Sequence, residues 1–283
     1  ANSRGLLEFT GTEWSLFPIP NQSIVRSVVV AEEKIFTGAY MEFGFWVKDR
    51  TGYLKYTSLV NDFPSPLRDG EQFWHIAHID NFIITQSFEG LYLYNLSSGE
   101  ISKISTPEGI IRNLFKIENT VYFQIDGHGL FSIIKNIAQP VIVGSFLEGE
   151  EVMHVYNTTG ALRLITRKGK FLEWENGEMK DLYPQLIEKI KNRSIYSAIT
   201  LQDNSLVLGT VEDGIYYLSK EGDIISHFKS VNIQPTFCIA PVTCIICRSS
   251  IRSDKQGAFG IDSVDGITQV FRNTPNAIWS FAC

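Results

Sequence analysis

The chain has 283 residues, of which 44% are hydrophobic and 20% charged, and its 25 basic and 31 acidic side chains give a formal net charge of −6. The apolar fraction is too high for a disordered chain, and the acidic balance argues against a nucleic-acid-binding surface spread over the whole chain. The longest apolar run, Phe237 to Ile246, is about half a membrane-spanning helix and contains Pro241.

The two ends of the sequence predict a piece of a longer protein. The chain begins at Ala1 without a Met or the apolar core of a signal peptide. It stops at Cys283, inside a segment with the pattern of a strand. We therefore expect a fragment whose true ends lie elsewhere.

One pattern recurs along the chain: an apolar strand, a short polar turn, a glycine, and an apolar–aromatic strand. The first copy has only the second half, in Gly5 to Phe9 and Trp14 to Phe17. The glycines that anchor the copies are Gly5, Gly44, Gly90, Gly129, Gly169, Gly214 and Gly266. They stand roughly 40–50 residues apart, close to the length that four short strands and their turns occupy in one propeller blade.

Each unit reads as four strands separated by polar turns. In the second unit the predicted strands are 73–79, 82–86, 90–95 and 100–105. A helical repeat of this length would need two amphipathic helices per unit, whereas helical periodicity occurs only between Tyr183 and Lys191. The repeat therefore predicts an all-β fold.

The fold predicted in this way is a β-propeller of four-stranded blades, in one domain over residues 1–283. It has about seven blades, made of six whole units and two incomplete ends. The C-terminal Asn276 to Phe281 resembles the start of a first strand and could share a seventh blade with the N-terminal strands. Such a blade would close a ring without free sheet edges. Residues 233–256 fit the pattern worst and are predicted to be irregular.

The cysteines do not predict a metal or redox site. All four, Cys238, Cys244, Cys247 and Cys283, lie near the C-terminal end. The C-x-x-C from Cys244 to Cys247 lacks the second ligand pair of a zinc site and the βαβ context of a redox motif. We expect buried thiols in a strand, and no disulfide in the first 237 residues.

No motif for catalysis or cofactor binding is present. The sequence contains no nucleophile elbow, no zinc-protease helix, no calcium loop and no phosphate-binding loop. His75 and His78 are three residues apart on a strand, so they face opposite sides and do not favour a metal. The expectation is a non-enzyme with no cofactor and no metal in this region.

Polar side chains gather at the start of the first strand in each unit, which lines the channel mouth of a propeller. One aligned column contains Arg26, Trp74, Arg112, Met153 and Ser197, and the next contains Ser27, His75, Asn113, His154 and Ala198. Arginine offers forked donors to carboxylates or sugar hydroxyls, and tryptophan offers a stacking face. The predicted ligand-binding residues are Arg26, Trp74, His75, Arg112 and His154. The alternative is that these side chains fill a wet channel without binding a ligand.

Three segments, 5–9, 41–46 and 212–216, have the form G-t-x-x-G-L-x-x-y or part of it. Over roughly residues 1–232 the chain resembles the propeller repeats of bacterial two-component regulators, although Arg167 to Lys170 replaces the usual acidic-Gly turn. That family forms the sensor region of hybrid two-component histidine kinases and of related helix-turn-helix regulators. The resemblance implies a periplasmic signal-input domain, often for carbohydrate-derived ligands, tethered to membrane or output domains outside this chain.

Three functions therefore remain open. The first is a non-catalytic sensory propeller that binds a small molecule or oligosaccharide at the channel mouth, without contacting nucleic acid, in a regulator that could be a homodimer. The second is a protein–protein interaction scaffold that uses the same face. The third is a propeller lyase or glycoside hydrolase, which would need two facing carboxylates.

Overall fold

The computed structural model describes residues 5–9, 13–158, 160–229 and 278–279. Within these ranges the chain forms strands almost throughout, with one short helix, α1 (Pro184–Lys189), and two 3-10 turns at Val60–Asp62 and Ser145–Leu147. Helix α1 lies inside the segment for which the sequence predicted helical periodicity. The first two strands are β1 (Leu6–Phe9) and β2 (Trp14–Phe17), at the places predicted for the incomplete N-terminal unit.

Five four-stranded antiparallel sheets follow, each made of four consecutive strands and here called blades one to five. Blade one contains β3 (Val25–Ala31), β4 (Lys34–Ala39), β5 (Glu42–Lys48) and β6 (Leu54–Ser58). Blade two contains β7 (His75–Ile79), β8 (Phe82–Gln86), β9 (Leu91–Asn95) and β10 (Ile101–Lys103). Blade three contains β11 (Ile111–Ile117), β12 (Thr120–Ile125), β13 (Gly129–Ile134) and β14 (Ile137–Val143). Blade four contains β15 (Val152–Thr158), β16 (Ala161–Thr166), β17 (Phe171–Glu175) and β18 (Glu178–Leu182). Blade five contains β19 (Ile195–Thr200), β20 (Leu206–Thr210), β21 (Ile215–Leu218) and β22 (Ile224–Phe228).

The predicted strands of the second unit agree with blade two to within two residues at every boundary. Gly90 and Gly214 immediately precede third strands, and Gly129 begins one. Gly44 instead lies inside β5. The sixth predicted unit, which is anchored on Gly266, the irregular segment 233–256 and all four cysteines lie outside the described residues.

The glycine that begins the third strand is required by close approach of the fourth strand. Gly129 has a φ of +111°, and a Cβ there would overlap the carbonyl oxygen of Ile142 in β14. Gly214 has a φ of +79°, and a Cβ would overlap the carbonyl oxygen of Phe228 in the same way. Only glycine combines a positive φ with the absence of a side chain, so these two positions require it.

The two ends of the described chain meet in a three-stranded sheet. Strand β23 (Ile278–Trp279) pairs antiparallel with β1, with Leu7 opposite Trp279, and the strand order is β2-β1-β23. The sequence predicted that this C-terminal segment could share a blade with the two N-terminal strands, and the three strands form one sheet. Strand β23 pairs directly with β1, and no other described strand lies between them.

The blades pack face to face, and their first strands adjoin one another in the order β3, β7, β11, β15, β19. Between blades one and two, Phe36 and Phe43 pack with Phe73, Ile83 and Tyr92, all of them buried. A short sheet cannot form a core alone, so each blade buries its faces against its neighbours.

The strand directions define one functional end of the structure. Because neighbouring strands are antiparallel, the start of each first strand lies at the same end of its blade as the turn between its second and third strands. We call this end of the five blades the channel mouth.

Candidate ligand-binding site at the channel mouth

Four of the five first strands contain a β-bulge near their start. The pairing of β3 with β4 passes from Val25 directly to Ser27, and the same step occurs in β15 and β19. The residues outside the regular pairing are Arg26 in blade one, Arg112 and Asn113 in blade three, Met153 in blade four and Tyr196 in blade five. A bulge bends its strand and re-aims the extra side chain. In each of these blades the repeat therefore places, at the mouth, a side chain that lies outside the regular strand pairing.

In blade two the same position is occupied by Trp74, outside the paired residues of β7. Trp74 directly precedes β7, and its backbone N–H donates to the carbonyl oxygen of Gln86 at 2.9 Å. In blade five the observed register makes Tyr196 the equivalent of Arg26. The sequence alignment, which put Ser197 in that column, was wrong there by one residue, because the turn between Thr200 and Leu206 is longer than the two-residue turns of blades one to three on which the units were aligned.

A stack of cationic and aromatic groups crosses the mouth from blade one to blade three. The guanidinium carbon of Arg26 lies 4.1 Å from the ring centre of Trp74. The Trp74 ring stacks on Phe88 with centres 5.5 Å apart and planes 26° apart. The guanidinium carbon of Arg112 lies 5.8 Å from the Phe88 ring centre. Such contacts between cations and aromatic faces are attractive and hold the guanidinium group flat on the ring.

The blade-one end of this stack has hydrogen-bond donors without acceptors. Nε of Arg26 and Nε1 of Trp74 are buried and have no hydrogen-bond partner among the described residues. Burial lowers the pKa of Arg26, and the nearby Tyr196 opposes that shift. Leaving such donors unpaired costs free energy that a bound acceptor would recover.

Two further arginines at the mouth, Arg112 and Arg167, already bind carboxylates. Nε of Arg112 donates to Oδ1 of Asp126 at 3.1 Å, and its Nη2 donates to Oδ2 at 2.8 Å. Nη2 of Arg167 donates to Oε1 of Glu151 at 3.1 Å, and its Nε binds the other oxygen. Chiefly because of these hydrogen bonds, the pKa of each arginine is raised. Both pairs are of the bidentate kind, which fixes geometry as well as charge.

The two predicted histidines lie one step further inside the channel wall. Nδ1 of His75 is 2.8 Å from Oε1 of Gln86. Nε2 of His154 is 2.9 Å from Oγ1 of Thr200, which connects blade four to blade five. Burial lowers the pKa of His75, and it lowers the pKa of His154 to about 4. Both rings are therefore neutral near pH 7 and take part in hydrogen bonds of the wall.

Other polar side chains near the mouth connect each blade to the next. Oγ of Ser27 donates to the carbonyl oxygen of Phe73 at 3.1 Å, and Nδ2 of Asn113 donates to that of Val152 at 2.9 Å. Gln124 is buried and donates to the carbonyl oxygen of Glu150 at 2.7 Å, while its Oε1 accepts from the N–H of Val152 at 2.8 Å. These bonds hold the first strands in register around the channel.

The described residues contain no group of three or more His, Cys, Asp or Glu side chains arranged to hold a metal ion. None of the helices in the described ranges has the length and hydropathy to span a lipid bilayer.

No family model matches the sequence, and no curated protein matches it either. Solved structures do match. Two of them are of the extracellular domain of BT4673 from B. thetaiotaomicron, described once as a one-component and once as a hybrid two-component system, with TM-scores of 0.57 and 0.58 at 18% and 17% identity. The matches cover 82% and 81% of this chain but only 32% and 31% of that domain, so the chain spans about a third of it.

Smaller propellers match equally well in shape. The WD40 domain of Doa1 has a TM-score of 0.59 at 12% identity, covering 81% of this chain and 78% of that one. YCF48 bound to D1 peptide has a TM-score of 0.58 at 13% identity, covering 83% of each chain. The chain is a β-propeller. At these identities the likeness supports the resemblance to two-component regulators at the level of fold.

In this propeller, three of the predicted site residues, Arg26, Trp74 and Arg112, are brought into one stack through Phe88. His75 and His154 lie in the wall beside them, with polar partners. Sequence reasoning missed Phe88 and Tyr196, whose side chains are 41% and 46% exposed. Phe88 could have been found, because it stands directly before the acidic-Gly turn that the repeat aligns between second and third strands.

Proposed function

We propose that this chain is a non-catalytic signal-input propeller of a bacterial regulator, which binds its ligand at the channel mouth. The observation that carries the proposal is the Arg26–Trp74 pair, with a buried donor on each side chain that has no acceptor among the described residues. Around it lie Phe88 and Arg112, and His75 and His154 support the wall from inside. The extracellular BT4673 propeller, which is similar in fold, favours an extracytoplasmic location.

Signalling would follow from a difference in affinity. A ligand shifts a regulator between two conformations only if it binds one of them more tightly. Because the site spans blades one to three, a ligand bound there contacts all three blades. A small shift of one blade relative to another would change these contacts and therefore the affinity. The output domain and any dimer contact would lie outside this chain.

A thermal-shift screen of mono- and oligosaccharides tests the proposal. A ligand at a hundred times its Kd should raise the Tm of a propeller of this size by roughly 5–10 °C. Arg26→Ala and Arg112→Ala should each abolish most of that rise. Lys116→Ala is the matched control, since Lys116 is an exposed cation on the same strand as Arg112 and lies further from the mouth. Stabilisation that survives both arginine substitutions would refute the site.

A protein-binding role is the second candidate, favoured by large apolar side chains exposed at the mouth. Phe88, Ile110, Tyr196 and Val211 are 41–59% exposed. YCF48, which is similar in fold, is bound to a peptide. A screen in which no small molecule stabilises the propeller, together with binding of a partner protein that Tyr196→Ala weakens, would favour this role.

The mouth offers poor support for hydrolysis or elimination. A glycosidase needs one carboxylate to transfer a proton and another to act as nucleophile or base. Asp126 and Glu151 are both held by arginine side chains. Turnover of an oligosaccharide by the purified protein would overturn the assignment as a non-enzyme.

A further inference from the structure

The repeat provides an internal comparison for Arg26. In blade one Val25 pairs with Ala39, and in blade three Ile111 pairs with Ile125 in the same way. Arg26 and Arg112 both follow these first residues, so they occupy equivalent bulge positions. The residue that follows the paired position on the second strand is Tyr40 in blade one and Asp126 in blade three.

The two equivalent arginines differ in one respect. Arg112 donates from Nε and Nη2 to the carboxylate of Asp126. Tyr40 offers no carboxylate to Arg26, which has no hydrogen bond or ion pair with any described residue, and its Nε is buried. Blade one therefore has the arginine of the pair without the acid.

Arg26 has no carboxylate partner among the described residues, whereas Arg112 and Arg167 are paired with Asp126 and Glu151. A carboxylate on the ligand would supply the partner that Arg26 lacks. The planar fork of arginine also matches a carboxylate in geometry.

We propose that Arg26 binds a carboxylate of the ligand, which would be the counterpart of Asp126 at Arg112. Trp74 supports the guanidinium group, whose carbon lies 4.1 Å from the ring centre. The inference rests on the proposed function and narrows its ligand to a carboxylate-bearing small molecule. A uronic acid and the free C-terminus of a short peptide share this chemistry.

The experiment introduces a carboxylate next to Arg26 by substitution of Tyr40. Tyr40→Asp would place a carboxylate where Asp126 stands in blade three, and Tyr40→Asn is its neutral match. The Tyr40 side chain is 45% exposed, so neither change disturbs the core. Binding is measured by calorimetry for trigalacturonate against its methyl ester, and for acetyl-diglycine against its amide, with folding checked by circular dichroism.

At least one acid should bind the unmodified protein roughly tenfold or more tightly than its neutral partner, as expected for a charge-assisted pair. That acid identifies the source of the carboxylate. Arg26→Ala and Tyr40→Asp should each remove this preference, and Tyr40→Asn should retain it.

Three results would overturn the inference: no binding of either acid, equal binding of acid and neutral partner, or a preference unchanged by Tyr40→Asp. The second separates the two proposals. If the acid and its neutral partner bind equally and Arg112→Ala weakens both, the mouth remains a ligand site and only the inference of a carboxylate is refuted.

Discussion

Low pH should lower the free energy of unfolding of the propeller by protonating His154, whose ring lies between blades four and five. Burial lowers its pKa from 6.5 to about 4. In the unfolded chain the ring has its ordinary pKa, so between these two values the unfolded state binds more protons than the folded state. Stability from the neutral ring is therefore fully present above pH 6.5 and is lost as the pH falls toward 4.

The size of this effect follows from the shift. For the two pKa values, linkage predicts a loss of about 1–2 kcal/mol in the free energy of unfolding between pH 7 and pH 5. Protonation would also force the ring to donate from Nε2, which now lies 2.9 Å from Oγ1 of Thr200. That hydroxyl can accept instead of donate, so the loss comes mainly from burying the charge.

The assay is denaturant unfolding at pH 7, 6 and 5 for the unmodified protein and for His154→Gln. Glutamine can still bind Thr200 but does not titrate in this range, so the difference between the two pH profiles isolates the ring. If the unmodified protein loses no more stability than His154→Gln between pH 7 and pH 5, the buried neutral histidine is refuted.

Two further substitutions test the architecture. Gln124→Leu would leave the carbonyl oxygen of Glu150 and the N–H of Val152 buried without partners, and should cost about 2–4 kcal/mol of unfolding free energy. Denaturant unfolding beside Gln139→Leu, an exposed strand position, checks this, and equal stabilities would show that the link between blades three and four contributes nothing. Gly129→Ala should destabilise more than Gly127→Ala, since both have positive φ but only Gly129 is crowded by the carbonyl oxygen of Ile142. Equal melting temperatures for the two alanine variants would contradict the close approach.

The blades could be predicted from the sequence because each repeats the same short-range signals. Polar turns and alternating apolar residues placed the strands of blade two within two residues of their observed bounds. These signals depend on a few neighbouring residues, so they can be recognised without knowledge of the tertiary structure.

The candidate site was predicted only in part, because its geometry depends on residues that the repeat does not align. The turn between β19 and β20 is longer than the turns of blades one to three, so turn-based alignment chose Ser197 where the ladder places Tyr196. Trp74, just before a first strand, contacts Phe88 in a turn of the same blade. An alignment of the first strands alone does not reveal this contact.

The asymmetry of the mouth supports the proposal that a small ligand binds on one side. The blades repeat one backbone design, so any selectivity must come from the side chains at equivalent positions. Blades one to three present Arg26, Trp74 and Arg112 in a continuous stack, whereas blades four and five present Met153 and Tyr196. A large partner covering all five blades would gain little from one unpaired cation in blade one. Under that proposal, a ligand of a few sugar or amino-acid residues binds Arg26 and contacts Phe88 and Tyr196.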